Sequence, residues 1–168
     1  MVHADTRVLV FTRTAGYRHI SIEVGVAALT DLVAAEATED AGVFTPENLA
    51  RYRVVVFLNT SGPVLDDDQR QALAAYVRGG GFVGVHCAAA TEYDWPEYGE
   101  LVGARFDQHP EVQSAVIHVA DRDHPATAHL PERWEHVDEW YNFRTNPRPH
   151  VRVLLTVDES TYAGGGMG

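Results

Sequence analysis

The side chains best suited to chemistry are histidines set beside small or charged residues. His86 closes the apolar run Phe82 to Val85, with Gly84 before it and Ala88, Ala89 and Ala90 after it. Small neighbours permit a sharp turn that lifts a side chain above the end of a sheet, as a nucleophile elbow does. An imidazole there suits a general base or a metal ligand, with a packed core histidine as the plain alternative. His19 follows Tyr17 and Arg18, so an acid-base or ligand group stands next to a fixed positive charge able to bind oxygen-rich anions or stabilise developing negative charge. The plain alternative is an exposed pair at a helix start. His109 lies in what reads as a polar loop, Phe106 to Pro110. Trp134 to Arg144 (WEHVDEWYNFR) reads as one strand, whose alternation would put Val137, Glu139, Tyr141 and Phe143 on a common face. Glu139 and Tyr141 would then offer a carboxylate and a sugar-stacking ring together, unless this is an edge strand with ordinary solvated charges.

Cys87 is the only cysteine, which excludes an intrachain disulfide and a multi-cysteine zinc cluster and is compatible with a reducing cytosol. Beside three alanines it reads as a small buried filler more than as a nucleophile. Histidine with aspartate or glutamate suits zinc or another divalent transition metal, although no HExxH spacing is present. His118, His124, His129, His136 and His150 read as surface or structural, His124 shaping the turn in RDHPATAHLP.

All 13 basic residues are arginine, which excludes a Schiff base, pyridoxal phosphate (PLP) attachment and a P-loop lysine. A net charge of −11 argues against nucleic acid and against an anionic membrane surface. Residues 1–10 lack the basic and apolar regions of a leader, and no stretch of 18 apolar residues follows, so the expected location is cytoplasmic.

The elements needed to position these residues are legible in the apolar pattern. Arg7 to Thr12, Arg53 to Leu58 and Phe82 to His86 are short apolar runs of the kind buried on both faces of a parallel sheet. Ser21 to about Ala35 has helical spacing with Ser21 as N-cap, Pro46 to Tyr52 reads as a short helix, and Asp66 to Asp68 open a helix ending at Gly79. The repeat of strand and helix implies a parallel sheet with helices on both faces, in a single domain of 168 residues. Ligands of such sheets bind beyond the strand carboxyl ends, which gathers the loops carrying His19, Asn59 to Gly62, and His86 on one rim. A short helix ending near Gly103, then strands Ser114 to Val119, Trp134 to Arg144 and Val151 to Val157, complete the reading. The tail AGGGMG reads as low in information.

The runs VLVFTRTAGYRHISI, GGGFVGVHCAA, FDQHP and DEWYNFR together resemble the ThuA-like (trehalose utilisation) family over essentially the whole chain. That resemblance implies a three-layer αβα fold, flavodoxin-like and class I glutamine amidotransferase-like, with a mostly parallel sheet. It also implies sugar catabolism on trehalose or related glucosides in routes through 3-keto sugars. Arg18, His19, His86, His109, Glu139 and Tyr141 occupy the family's motif positions. Amidotransferases end the elbow strand in Gly-x-Cys, whereas His86 holds that position here and Cys87 is displaced by one, so Cys87 is expected to point elsewhere. Family members usually continue with a His-Pro segment and a glycine-bearing strand pair, so either the domain finishes at Gly168 or residues 1–168 lack a C-terminal segment.

Three functions stay open. One is a carbohydrate enzyme with His86 or His19 as general base, Glu139 as acid partner or metal ligand, and Arg18 on an oxyanion, with Tyr17, His109 and Tyr141 contacting substrate. The second is a non-catalytic sugar-binding module of a larger assembly, its aromatics drawn from Tyr93, Trp95, Tyr98, Trp140 and Tyr141. The third is a Cys87 thiol hydrolase of amidotransferase type. No Gly-x-Gly-x-x-Gly follows the first strand, so a self-bound nicotinamide is not expected, and hydride transfer would need a partner protein to hold it; a homo-oligomer is a separate expectation.

Overall fold

A computed structural model describes residues 7–167. Residues 1–6, which carry most of the leader reading, and Gly168 lie outside the described residues. The chain divides into two compact units, the first reaching Val102 and the second starting at Gly103.

The first unit alternates strands and helices. Its strands are β1 (Arg7–Phe11), β2 (Ala34–Thr38), β3 (Val54–Leu58) and β4 (Gly81–Val85). Its helices are α1 (Ile22–Leu32), α2 (Pro46–Leu49), α3 (Asp67–Tyr76) and α4 (Pro96–Val102). The strands pair in the order β2-β1-β3-β4 and every pair is parallel. Alternating side chains feed two cores. Leu9, Phe11, Val55 and Phe57 pack with Leu49, Leu73 and Tyr98 from α2, α3 and α4, whereas Val8, Val10, Val56 and Leu58 meet Val26 and Leu29 of α1. The result is a three-layer α/β unit of flavodoxin-like order, and burial of each such side chain is worth about 1.5–3 kcal/mol. α3 begins where the sequence places it: Asp66 accepts from the Gln69 backbone N–H at 2.9 Å while Gln69 Oε1 accepts from the Asp66 N–H, a reciprocal cap.

The second unit is antiparallel, so the expected mostly parallel sheet is confined to the first. β5 (Phe106–Gln108) pairs with β8 (Asn142–Phe143), and β6 (Gln113–Val119) lies between β7 (Arg133–Asp138) and β9 (Leu155–Asp158).

Four sequence expectations change. The helix expected to reach Ala35 stops at Leu32, because Ala34 to Thr38 pair in register with Arg7 to Phe11 and close that side of the sheet. Alanine and glutamate favour helix intrinsically, but strand pairing overrides so weak a preference. The single strand expected over Trp134 to Arg144 breaks after Asp138 and resumes at Asn142 in a different sheet. The strand expected from Val151 begins only at Leu155. The glycine tail is a packed strap: a Cβ on Gly164 would lie 2.8 Å from Pro110 Cβ, and one on Gly165 would lie 2.8 Å from Glu159 Cγ. Met167 N–H donates to Glu159 Oε1 at 2.7 Å and holds that strap down. Among the described residues no helix is long and apolar enough to cross a membrane.

Candidate functional site

The carboxyl ends of β1, β3 and β4 are drawn together by their own backbones. Ala15 N–H donates to Ser61 O at 2.7 Å, Gly62 N–H to Ala90 O at 3.0 Å, and Glu92 N–H to Gly62 O at 3.2 Å. Gly62 makes this approach feasible: its φ is +72°, and a Cβ would meet Gly16 N at 3.1 Å. The loops after β1 and β4 thus meet over the carboxyl end of β3, beside the β1/β3 boundary where the strand order reverses and open sheets bind ligands.

There His19 and His86 face each other, Nε2 to Nε2 at 2.9 Å, both rings half-buried. The sequence brought these two together from topology alone, and the first unit does so. His86 has φ +51°, a left-handed conformation that L-residues rarely adopt, so the elbow is real and strained. Gly84 lets it close, since a Cβ there would meet Val102 Cγ2 at 3.0 Å and Ala88 Cβ at 3.2 Å.

Cys87 does not point elsewhere, as its displacement by one residue suggested. In a continuing strand successive side chains leave by opposite faces. The left-handed turn at His86 ends that alternation and begins a 3-10 helix, His86–Ala90. The buried Cys87 Sγ therefore joins a nitrogen of His19 and one of His86, all within 4.8 Å of one another. This cluster can coordinate a metal ion.

The remaining candidates of this unit are placed differently. Tyr17 is exposed and stands edge-on to the His19 ring, centroids 5.1 Å apart. Arg18 turns to Glu23 at 3.0 Å and Glu39 at 2.9 Å, lining a cleft of about 410 Å³ with Thr12 and Thr38. Hydrogen bonds donated to Glu23 and then to Glu39 raise the guanidinium pKa, and the Glu23 carboxyl is lowered by its own backbone N–H and then by Arg18.

The sequence places Asn59 on the rim without a role and says nothing of Glu92. Asn59, buried and left-handed at φ +52°, donates its backbone N–H to Val85 O at 3.3 Å and its Nδ2 to Ser21 Oγ at 2.9 Å. It thereby braces the segment before His86 against the one after His19, and it takes Ser21 away from capping α1. Its Oδ1 is buried with no hydrogen-bond partner among the described residues. Glu92, fully buried, accepts from the Val64 and Leu65 N–H groups at 2.6 and 2.8 Å and from Arg70 Nε at 2.8 Å. No spacing in Thr91 to Tyr98 distinguishes it from a surface acid. The aromatics weighed as sugar platforms there are partly core: Tyr98 is fully buried and Trp95 packs on it with centroids 5.9 Å apart.

The second unit holds its own group. His109 Nδ1 lies 2.7 Å from Pro110 O, and since a carbonyl only accepts, Nδ1 carries the proton. Nε2 then faces Glu139 Oε2 at 3.8 Å, and the Tyr141 ring stacks on the imidazole, centroids 5.9 Å apart at 23°. Glu139 and Tyr141 come together through the break between β7 and β8, which corrects the shared strand face expected for them. His109 follows the short strand β5, where a loop was expected. Tyr141 also lines a cavity of about 450 Å³ with Phe143, Arg148, Asp158 and Met167. Trp140 is engaged elsewhere, its Nε1–H donating to Gln113 O at 2.8 Å. His124 does shape its turn, Nδ1 accepting from Ala126 N–H at 3.1 Å.

Comparison with solved structures gives a ThuA-like protein of Bacteroides uniformis, 26% identical, TM-score 0.82, covering 94% of this chain and 70% of that one. A ThuA-like protein of Parabacteroides merdae superposes with TM-score 0.75 at 19% identity, over 90% of this chain and 68% of that one, and shares the fold. No curated protein sequence matches. The sequence profile described as ThuA, trehalose utilisation, matches residues 7–168, and the chain belongs to that family.

Proposed function

We propose that this protein processes a carbohydrate, a trehalose-like glucoside carrying a 3-keto group, by moving a proton at the carbon beside the ketone. The observation that carries this reading is the Nε2 to Nε2 contact of 2.9 Å between His19 and His86 at the reversal point of the sheet. One ring donates and the other accepts, so the pair supplies a base and an acid from one location. A divalent transition metal such as zinc at the same nitrogens would add Lewis-acid polarisation of the ketone. Tyr17, exposed beside His19, contacts the sugar, and Arg18 stabilises an enediolate once it leaves Glu23 or Glu39. His109, Glu139 and Tyr141 form the sugar-contacting group of the second unit. The substrate class follows the family's description, and in this reading the sheet is of the class I glutamine amidotransferase-like type, the work cytoplasmic, and hydride transfer left to a partner protein.

Turnover of 3-keto trehalose and 3-keto glucosides, compared between wild type and His86→Ala, tests this. Removing a general acid-base group lowers kcat by about 10²–10⁴-fold, with sugar binding kept. Equal rates in both proteins would remove the pair from the chemistry. A second reading, sugar binding without turnover, is favoured by the 450 Å³ cavity beside Tyr141, which falls in the ligand-pocket range of roughly 300–1,000 Å³. Saturable sugar binding with no conversion of any 3-keto glucoside would establish it.

A further inference from the structure

Cys87 is the residue that acid-base chemistry by two histidines leaves unused. It is buried, it cannot form an intrachain disulfide, and yet the elbow turns it toward both imidazoles. We propose that His19, His86 and Cys87 are the three protein ligands of a thiolate-preferring divalent metal of the zinc class, with a fourth position open to the sugar. This deepens the carbohydrate reading by assigning its site a metal, and gives Cys87 the role of ligand instead of nucleophile.

Distances support it. Tetrahedral zinc, with bonds of about 2.0–2.1 Å to nitrogen and about 2.3 Å to sulfur, sets its donors roughly 3.4–3.6 Å apart. The two Nε2 atoms stand at 2.9 Å, about 0.5 Å closer than this, and the three donors lie within 4.8 Å, so side-chain rotations that move a donor by up to about 1 Å complete the set. A two-histidine, one-thiolate set matches the softness that selects zinc or cobalt over magnesium or calcium, which prefer all-oxygen shells. Three protein ligands plus one open position is the arrangement of catalytic zinc, whereas structural zinc fills four. On binding, the ring that donated its Nε2–H carries its proton on Nδ1, and the Cys87 thiol proton leaves to solvent. No electron moves.

The backbone explains why adjacent residues can both be ligands. His86 and Cys87 diverge in any extended chain, and the φ of +51° at His86 brings them to one side. Asn59 and Ser21 brace the two loops that carry the histidines.

Titration of the full chain with Co2+ tests this without any sugar. Tetrahedral cobalt bound to a thiolate gives a near-ultraviolet charge-transfer band, and the band should appear at one equivalent, vanish in Cys87→Ser, and yield to Zn2+. His19→Ala should weaken Zn2+ binding by more than the roughly 10–100-fold that loss of a mere supporting contact costs such sites. Circular dichroism checks that each variant is folded. Should Cys87→Ser not fold, wild type alone decides: one equivalent of Zn2+ should protect Cys87 from a thiol-alkylating reagent. Absence of stoichiometric binding, or an unchanged cobalt spectrum in folded Cys87→Ser, or alkylation at the same rate with and without Zn2+, would overturn the proposal. Turnover of 3-keto glucosides separates the two readings. Full turnover after complete metal removal keeps the substrate and discards the metal, and tight Zn2+ binding with no turnover does the reverse.

Discussion

An arginine-carboxylate pair occurs in each unit, and the two pairs do different work. In the first unit Arg70 reaches Glu92, whose side chain is 0% exposed, through Nε at 2.8 Å and a second nitrogen at 2.5 Å. In the second unit Arg152 reaches Asp121 through Nε at 2.6 Å, but the arginine is 64% exposed. Glu92 also gathers two backbone N–H groups of the loop after β3, so its burial is compensated on every side. The units differ in the same way throughout. Nearly all of β1 and β3 is buried, while Ala115, Val116, Thr127 and Asn142 are the buried residues described after Val102. The first unit holds its site by core packing and backbone strain. The second holds its site by loops, ion pairs and a strap.

The largest expected contrast comes from breaking the two pairs. Glu92→Ala leaves Arg70 partly buried without its carboxylate and removes the acceptor of two N–H groups, so unfolding by denaturant should show a loss of about 3–5 kcal/mol. Asp121→Ala should cost much less, since Asp121 is 19% exposed but its Arg152 partner is 64% exposed and stays solvated when the carboxylate is lost. Equal effects would end the comparison. Next in size is Gly62→Ala. A left-handed backbone disfavours alanine by roughly 1–2 kcal/mol, and the clash with Gly16 N separates the loops bearing His19 and His86, so both stability and Co2+ affinity should fall.

The smallest is a pH effect in the second unit. Hydrogen bonds from the Ser160 side chain and backbone, more than the charge of His118, hold the Asp158 carboxyl below its ordinary range. A carboxyl lowered on folding gives stability that is present above its unfolded pKa and is lost as pH falls through the folded value. Melting temperature should therefore drop as pH is taken below the ordinary aspartate range, and Asp158→Asn should flatten that limb by lowering the melting temperature above it. An unaltered acid limb in the variant would assign the dependence to other groups.

Legibility in the sequence followed the same division. β1 and β3 are buried on both faces and read as unbroken apolar runs, with helix signals between them; β4 reads the same way, but it is an edge strand with Val83 45% exposed, which corrects the burial expected for it. Their topology then brought His19 to His86 with no contact information. β2 was hidden because it is a half-exposed edge of alanine and glutamate, recruited by its neighbour. Cys87 was misplaced because one left-handed residue inverts strand alternation, and no residue type announces a left-handed histidine. Glu139 and Tyr141 each stand against His109 but share no strand face, since a strand pattern cannot show where a chain leaves its sheet. Asn59 and Glu92 matter through partners far away in sequence, which composition does not carry.

The strain at His86 also bears on how this protein can change. Glycine or asparagine would sit more comfortably at φ +51°, so the easiest route to a sturdier first unit runs through the residue that supplies a donor to the cluster. Selection for robustness alone would be expected to erase the histidine. Drifting copies of this protein freed from their task should lose His86 early and keep their fold, which makes the identity of the residue at that one position a marker of whether a descendant still works.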